Sequence, residues 1–335
     1  MTTFSGTGGG TAKSSAALSW RGGLAEVAIL VALVAIFSVL NPAAFPTLTN
    51  LGTILNNAAI PMIVGVGASA VVLTGRIDLS IEGVMGAAGL TFVLLSANSR
   101  ETADIGWLAW PAALAVGAGL GALTGAIHAF AKVPSFIVSL GMWYVGLGVA
   151  AVLFGYEMIP FLSDGALVAW PTAAPWGIPN SFLLALLVVA AGCGIERYTR
   201  LGRAAYAIGN NEAVARMTGI PVTRHVIILF TLAGLCSALA GIVGSLALGA
   251  GAANVGVGML FLTLAAIVIG GTPLAGGRGG ALRTALGVLI LSTLYNGLIL
   301  AGVDPSIQSG VSGVVLVAAV IAAGWSQRER LRVFK

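Results

Sequence analysis

Ten apolar runs near the length that crosses a lipid bilayer dominate the sequence. They cover approximately residues 24–40, 51–73, 81–97, 107–130, 135–155, 181–195, 225–249, 257–271, 281–301 and 307–324. A spanning helix needs about 20 apolar residues, so the sixth and eighth runs are short. Only 8% of the residues are charged, whereas soluble domains carry about 25%. We therefore expect an all-α integral membrane protein with about ten transmembrane helices.

The basic residues predict the orientation of these helices. If the N-terminus is cytoplasmic and successive runs alternate, fifteen of the 16 Lys and Arg residues lie inside and only Arg100 lies outside. The net charge of +5 then reflects this bias rather than a surface for nucleic acid. We expect a disordered cytoplasmic tail over 1–22, a polytopic transmembrane domain over 23–325 and a basic cytoplasmic tail over 326–335.

Proline and glycine interrupt several of the runs. Pro61 lies inside the second run, and glycine-rich stretches cover residues 74–89 and 270–280. Irregular backbone at membrane depth is tolerated only where protein or a water-filled cavity surrounds it. Broken helices of this kind line substrate paths in transporters. The alternative is that these stretches are ordinary loops outside the membrane.

Small residues recur every four positions in two runs, which predicts close helix packing rather than a ligand site. They are Gly117, Gly121 and Gly125 in the fourth run, and Ser237, Gly241, Ser245 and Gly249 in the seventh.

A polar turn around Asp78 follows the second run. An acid near the membrane is a functional candidate. Alternatively, Asp78 and Ser80 cap the helix that begins near Ile81, with Arg76 as a charge partner, and the sequence leaves both interpretations open. Together with the second glycine-rich stretch, the candidates for a translocation path are Thr74, Gly75, Asp78, Ser80, Gly270, Gly271 and Thr272.

The long inside loop, 196–224, contains a short amphipathic helix in its second half. Asn210 or Asn211 can cap this helix, and Gly219 and Pro221 can stop it. Its exposed apolar ridge indicates docking to a cytosolic partner; the alternative is a connector held against anionic lipid. The ridge residues are Ala213, Val214 and Met217, and the docking candidates as a whole are Asn210, Asn211, Glu212, Ala213, Val214, Arg216, Met217, Gly219 and Ile220.

The sequence lacks the patterns of nucleotide binding and catalysis. No glycine-rich stretch ends in the Gly-Lys-Ser/Thr of a phosphate loop. The two histidines form no reactive cluster, and the two cysteines lack metal-site spacing. We therefore expect no catalytic residue, no metal site and no cofactor on this chain.

Four segments, in order along the chain, resemble the permeases of bacterial ABC importers for ribose and related sugars. This group is related to the branched-chain amino acid permeases. Residues 73–80 resemble the family's Leu-Thr-Gly-Gly-Ile-Asp-Leu-Ser, and 132–142 resemble Lys-Val-Pro-Pro-Phe-Ile-x-Thr-Leu-Gly-Met. Residues 207–220 are similar to its cytoplasmic coupling segment, and 265–277 to its Ala-Ala-x-x-x-Gly-Gly-Thr-Ser-Leu-x-Gly-Gly.

The resemblance implies a type II importer permease in a bacterial inner membrane. Two permease chains, identical or different, would work with two cytosolic ATPase subunits and a periplasmic solute-binding protein. The ATPase would hold the ATP and Mg²⁺, and the segment over 210–220 would insert into a cleft on its surface. The solute would be a monosaccharide or a related small polar molecule, moved by alternating access.

Three departures from the family pattern bear on the solute. Arg76 replaces a family glycine, and Glu82 and Gly83 stand where Gly-Ser is usual. Leu260 and Leu262 stand where the family usually carries Glu and Asp. These departures leave open a divergent sugar specificity or a chain that pairs with a different permease. The alternative solute for such a permease is a branched-chain amino acid or a nucleoside.

An alternative from another functional class is an autonomous secondary transporter. Asp78 or Glu26 would then couple transport to an ion gradient. Such a protein would work without an ATPase or a binding protein, whereas the importer would not.

Overall fold

The computed structural model shows an all-helical chain. The structure describes residues 12–100, 104–155 and 157–304 and isolated positions between 307 and 321, with side chains from residue 23 onward. Its helices are α1 (Ala12–Leu40), α2 (Leu48–Val72), α3 (Ile81–Leu95), α4 (Ala109–Ala131), α5 (Ser135–Phe154), α6 (Gly165–Ala169), α7 (Asn180–Tyr198), α8 (Arg200–Asn210), α9 (Glu212–Met217), α10 (Val222–Leu248), α11 (Met259–Ile269) and α12 (Ala281–Leu300). Within the described residues, β-structure is limited to two isolated β-bridges. The all-α prediction is confirmed.

Seven of the described helices are long and apolar enough to cross a membrane: α1, α2, α4, α5, α7, α10 and α12. The third and eighth predicted runs correspond to α3 and α11, which are apolar but have only 15 and 11 residues. The sixth run, predicted as short, becomes the 19-residue α7. Most of the tenth run and all of the tail over 326–335 lie outside the described residues.

One local prediction is wrong, and the disordered tail expected over 1–22 stays a prediction, since residues 1–11 lie outside the described part of the chain. The helix α1 begins at Ala12. The helix α2 continues through Pro61. A proline removes one backbone donor, and helices α7, α10 and α12 pack around α2 where this donor is missing from the helix.

Three irregular connectors interrupt the bundle: 73–80, 249–258 and 270–280. The first and third were predicted from their glycines, although Gly83, Gly86 and Gly89 belong to the helix α3. The second was not predicted. Its left-handed residues Gly249 and Gly258, with φ of 68° and 86°, mark its two ends.

The small residues bring α4 and α10 into close contact. A Cβ atom at Gly117 would collide with the Gly234 carbonyl, and one at Gly121 would collide with the Phe230 carbonyl. On another face of α10, Gly241 lies against the backbone of Met85 in α3. The predicted packing role of the small residues is confirmed.

The connectors gather at two ends of the bundle. At one end lie the segments 73–80, 132–134, 199–221 and 270–280, which we call the basic end because Arg76, Lys132, Arg216 and Arg278 lie there. At the opposite end, segments 96–100, 160–163 and 249–251 are joined by backbone hydrogen bonds of 2.8–2.9 Å. This division matches the alternation deduced from the basic residues.

We predict that Gly121→Ala destabilises the protein by about 1–3 kcal/mol, because the added methyl overpacks the α4–α10 contact. Gly119→Ala on the same helix is the matched control, since a Cβ atom there meets nothing within 4 Å. Thermal unfolding of the purified variants in detergent measures the difference. Equal stability of the two variants would contradict the packing account.

Candidate docking and translocation site

The helix α8 opens the inside loop, and the sequence-based prediction did not contain it. The Thr199 hydroxyl accepts the Gly202 N–H at 3.2 Å and caps the helix. Apolar residues at helical spacing, which are Leu201, Ala204, Ala205 and Ile208, turn towards the body of the protein. This spacing was the available signal for α8.

The helix α9 follows directly and is bounded by specific caps. The Asn211 side-chain oxygen accepts the Val214 N–H at 3.1 Å, so Asn211 and not Asn210 is the N-cap. At the other end, Gly219 (φ 82°) donates its N–H to Arg216 O at 3.1 Å. The Ile220 N–H donates to Ala215 O at 3.1 Å, which completes a Schellman motif. The predicted cap and stop residues are therefore in place around a helix of six residues.

The apolar ridge of α9 points away from the body of the protein. Val214 is 52% exposed and Met217 is 86% exposed, and Ala213 beside them is exposed as well. On the other side of the helix, Ala215 and Ile220 pack into a core cluster with Leu73 and Phe230. The exposure expected for a docking ridge is thus present.

A series of polar contacts fixes α9 to the membrane helices. Glu212 accepts hydrogen bonds from Arg76 at 2.9 Å and from Arg216 at 2.6 Å. Arg76 Nε also donates to His128 Nε2 at 2.7 Å, and the other ring nitrogen lies 2.7 Å from the Val133 carbonyl. Since Nε2 accepts, Nδ1 carries the ring proton and donates to that carbonyl. The α4–α5 corner, the first connector and α9 are therefore linked.

The Glu212 carboxylate is electrostatically stabilised. Partial burial raises the pKa of Glu212, but the hydrogen bonds from Arg216 and the charge of Arg76 outweigh burial and lower it below its ordinary value. Glu212 therefore keeps its negative charge at neutral pH and holds the two arginines on either side of it.

Hydrogen bonds to backbone groups also connect the segments at the basic end to one another. The Gly277 N–H donates to Leu73 O at 2.9 Å, and the Asn210 side chain donates to Gly277 O at 3.2 Å. Gly209 and Gly276 leave no room for a Cβ atom at this junction. The end of α2, the end of α8 and the third connector thus meet at one point.

The polar turn at Asp78 does not cap α3. Asp78 Oδ1 accepts the N–H and the hydroxyl of Ser80, at 2.9 and 2.6 Å, and both residues are buried. No side chain in the described part of the protein caps the first turn of α3. Arg76 pairs with Glu212 instead of Asp78. The capping interpretation is wrong because the carboxylate turns back onto its own loop.

The other path candidates shape the connectors at the basic end. The Thr74 hydroxyl donates to Val71 O at 2.7 Å, and Gly75 adopts φ 74°. The Thr272 hydroxyl accepts the Gly280 N–H at 3.1 Å, while Gly270 and Gly271 close the end of α11. Their role in translocation stays a prediction.

A positively charged cavity of about 310 Å³ lies beside α9. Arg76, Lys132 and Arg216 line it, with Glu212 as the one acidic residue among its lining groups. Such a cavity favours an acidic group of a partner over a basic one.

We predict that Glu212→Gln lowers stability at neutral pH by less than about 1 kcal/mol, because the Glu212 side chain is 38% exposed and its ion pairs are screened. The pKa of Glu212 is lowered by folding, so this difference persists through mildly acidic pH. It disappears as the pH falls through the lowered pKa, below the ordinary glutamate value of about 4.3. Thermal unfolding of both proteins from pH 8 downward is the measurement.

The control for this prediction is the same substitution in an Arg76→Gln, Arg216→Gln background. Without its cationic partners, Glu212 should contribute little to the stability of the protein. The stability difference caused by Glu212→Gln should then be small at every pH. A difference that is unchanged in that background would show that Glu212 acts through other contacts.

Comparisons with known proteins identify the family. Residues 50–320 match the family model described as "Branched-chain amino acid transport system / permease component". The ribose import permease protein RbsC of Escherichia coli (strain K12) is 38% identical over 301 residues, covering 88% of this chain and 91% of the relative. No solved structure matched the chain.

Two further relatives cover similar shares of both chains. The D-allose transport system permease protein AlsC of Escherichia coli (strain K12) is 30% identical, over 87% of this chain and 88% of the relative. The autoinducer 2 import system permease protein LsrD of Photorhabdus laumondii subsp. laumondii is 29% identical, over 90% of each chain. The chain therefore belongs to the family of branched-chain amino acid transport system permease components.

Proposed function

We propose that the chain is the membrane permease subunit of an ATP-driven importer for a monosaccharide or a related polyhydroxylated solute. The relatives named above are permeases for ribose, D-allose and autoinducer 2. The observation that carries the proposal is the exposed ridge of α9, which Glu212 and Arg76 connect to the basic end of the bundle. A permease that is driven by a separate ATPase needs such an exposed contact that is connected to its membrane helices.

The geometry supports transmission of force from α9 into the membrane. The apolar ridge would enter a cleft on the ATPase, as amphipathic helices bind grooves in other complexes. Arg76, which contacts α9, belongs to the connector that leads directly to α3. Movement of the ATPase would therefore displace the start of α3.

The remaining partners follow from the same proposal. Two permease chains would enclose the solute path, and a periplasmic binding protein would deliver the solute. ATP and Mg²⁺ would bind the ATPase. Both termini would lie in the cytoplasm of a bacterial cell, with the basic end of the bundle facing the ATPase.

We predict that Met217→Asp reduces recovery of the ATPase about tenfold or more when the tagged permease is purified from its native membrane. A buried apolar anchor of an interface is often worth at least about 2 kcal/mol, and a charge there adds a desolvation penalty. Mass spectrometry of the co-purifying proteins, normalised to the permease, measures the change.

Met158→Asp is the matched control for this experiment. Met158 is 82% exposed, nearly as much as Met217, but it lies at the opposite end of the bundle. The control should recover the ATPase as the wild type does. Equal recovery with both variants would contradict docking through α9.

A further inference from the structure

The short helices α3 and α11 both begin deep inside the bundle. The neighbouring helix α5 provides a scale, because it is long enough to span the membrane. Gly83 of α3 packs directly on the Trp143 backbone, eight residues after Ser135 at the start of α5. At 1.5 Å per residue, this contact lies about 12 Å along a helix of about 30 Å. The start of α3 is therefore near the middle of the membrane.

The second connector descends to the same depth from the opposite end. Gly249 accepts a hydrogen bond from Leu162 at that end. Further along, Gly86 packs on the Ala253 carbonyl, and Gly256 packs on the backbone of Glu82. The segment 249–258 thus re-enters the bundle, and α11 starts where α3 starts.

A carboxylate from α3 caps α11 at this meeting point. Glu82 Oε1 accepts the N–H groups of Gly258 at 3.0 Å and Leu260 at 3.1 Å. The N-cap position of α11 is Gly258, which has no side chain to perform this role. The Glu82 side chain therefore supplies the cap that Gly258 lacks.

The second oxygen of Glu82 is available to another molecule. Within the described residues, Oε2 accepts no hydrogen bond and Glu82 forms no ion pair, although the residue is only 6% exposed. Asn254, Val257 and Gly258 nearby are exposed, and Val257 is 64% exposed. Irregular, exposed backbone at this depth does not face lipid, because its polar groups would lack partners. It faces water or protein.

We propose that Glu82 Oε2 accepts a hydrogen bond from a hydroxyl group of the solute as the solute passes segment 254–258. This assignment rests on the proposed function and names a contact for the solute within it. Two backbone N–H groups hold Oε1 and so fix the position of the carboxyl group. Its free oxygen therefore favours molecules rich in hydroxyl donors.

The first test asks whether segment 254–258 faces water. Val257→Cys is made in a Cys193→Ala, Cys236→Ala background and treated with a charged methanethiosulfonate reagent. Val31→Cys in α1 is the matched control, since Val31 is 61% exposed on a helix that packs mainly on α12. We expect Val257→Cys to react about tenfold faster or more, because the reactive thiolate forms in water. Equal rates overturn the proposal.

The second test asks whether Oε2 contacts the solute. Glu82→Gln keeps the oxygen that caps α11 and replaces Oε2 by an amide donor. Uptake of D-ribose and D-allose is measured in proteoliposomes that contain the permease, its ATPase and its binding protein. We expect uptake of the transported sugar to fall about tenfold, because the hydrogen bond that Oε2 accepts from the solute is lost. Wild-type uptake by Glu82→Gln overturns the proposal.

Two further outcomes distinguish a capping role of Glu82 from a contact with the solute. They also distinguish failure of this inference from failure of the proposed function. Glu82→Ala loses both oxygens and should unfold at lower temperature, whereas Glu82→Gln should not. If uptake falls only in proportion to a loss of folded protein, Glu82 is a structural cap and the proposal fails. If the complete wild-type complex imports neither sugar, the assignment of Glu82 to a sugar is overturned with the function proposed above. The labelling rates still show whether the segment faces water.

Discussion

The backbone hydrogen bond from Gly277 to Leu73 joins the two connectors on which the basic end depends. Buried peptide groups need partners, and irregular backbone close to a membrane has few available. Here the first and third connectors satisfy each other, with glycines at the points of closest approach. Asn210 extends this junction to α8. The position of α9, and with it the exposed ridge, follows from this contact.

The first connector links the proposed docking helix α9 to the start of α3. Near α9 it carries Arg76, which contacts Glu212, and it ends at α3, where Glu82 caps α11. The distance between these regions is bridged by the short connector 73–80, in which the Asp78 carboxylate folds back onto Ser80. In the proposed importer, a shift of α9 would therefore move the start of α3 against α11 and alter the segment beside the solute.

Much of the fold was predictable because hydropathy, basic residues and caps are local signals. Asn211 and Gly219 mark the ends of α9 as expected. The pair Arg76–Glu212 was not predictable, since its members are 136 positions apart and meet only through tertiary packing. The turn of Asp78 onto Ser80 is a local choice between two hydrogen-bonding patterns that the residue types alone do not decide.

Two departures from the family pattern lie next to each other in the structure. Glu82 and Leu260 are distant in sequence, and each was noted separately as a change of charge. In the fold they are in contact, because the Leu260 N–H donates to the Glu82 carboxylate. An acid on α3 therefore occupies the site next to the position where the family usually carries an acid on α11. The sequence alone does not show that these two positions are in contact.

ATP-dependent uptake in reconstituted proteoliposomes tests the central claim most directly. The permease is inserted alone or together with its ATPase and its binding protein, and the entry of radiolabelled D-ribose and D-allose is followed with and without ATP. The account predicts uptake only for the complete complex with ATP. Uptake by the permease alone, driven by an ion gradient, would contradict it and would make the protein an autonomous transporter.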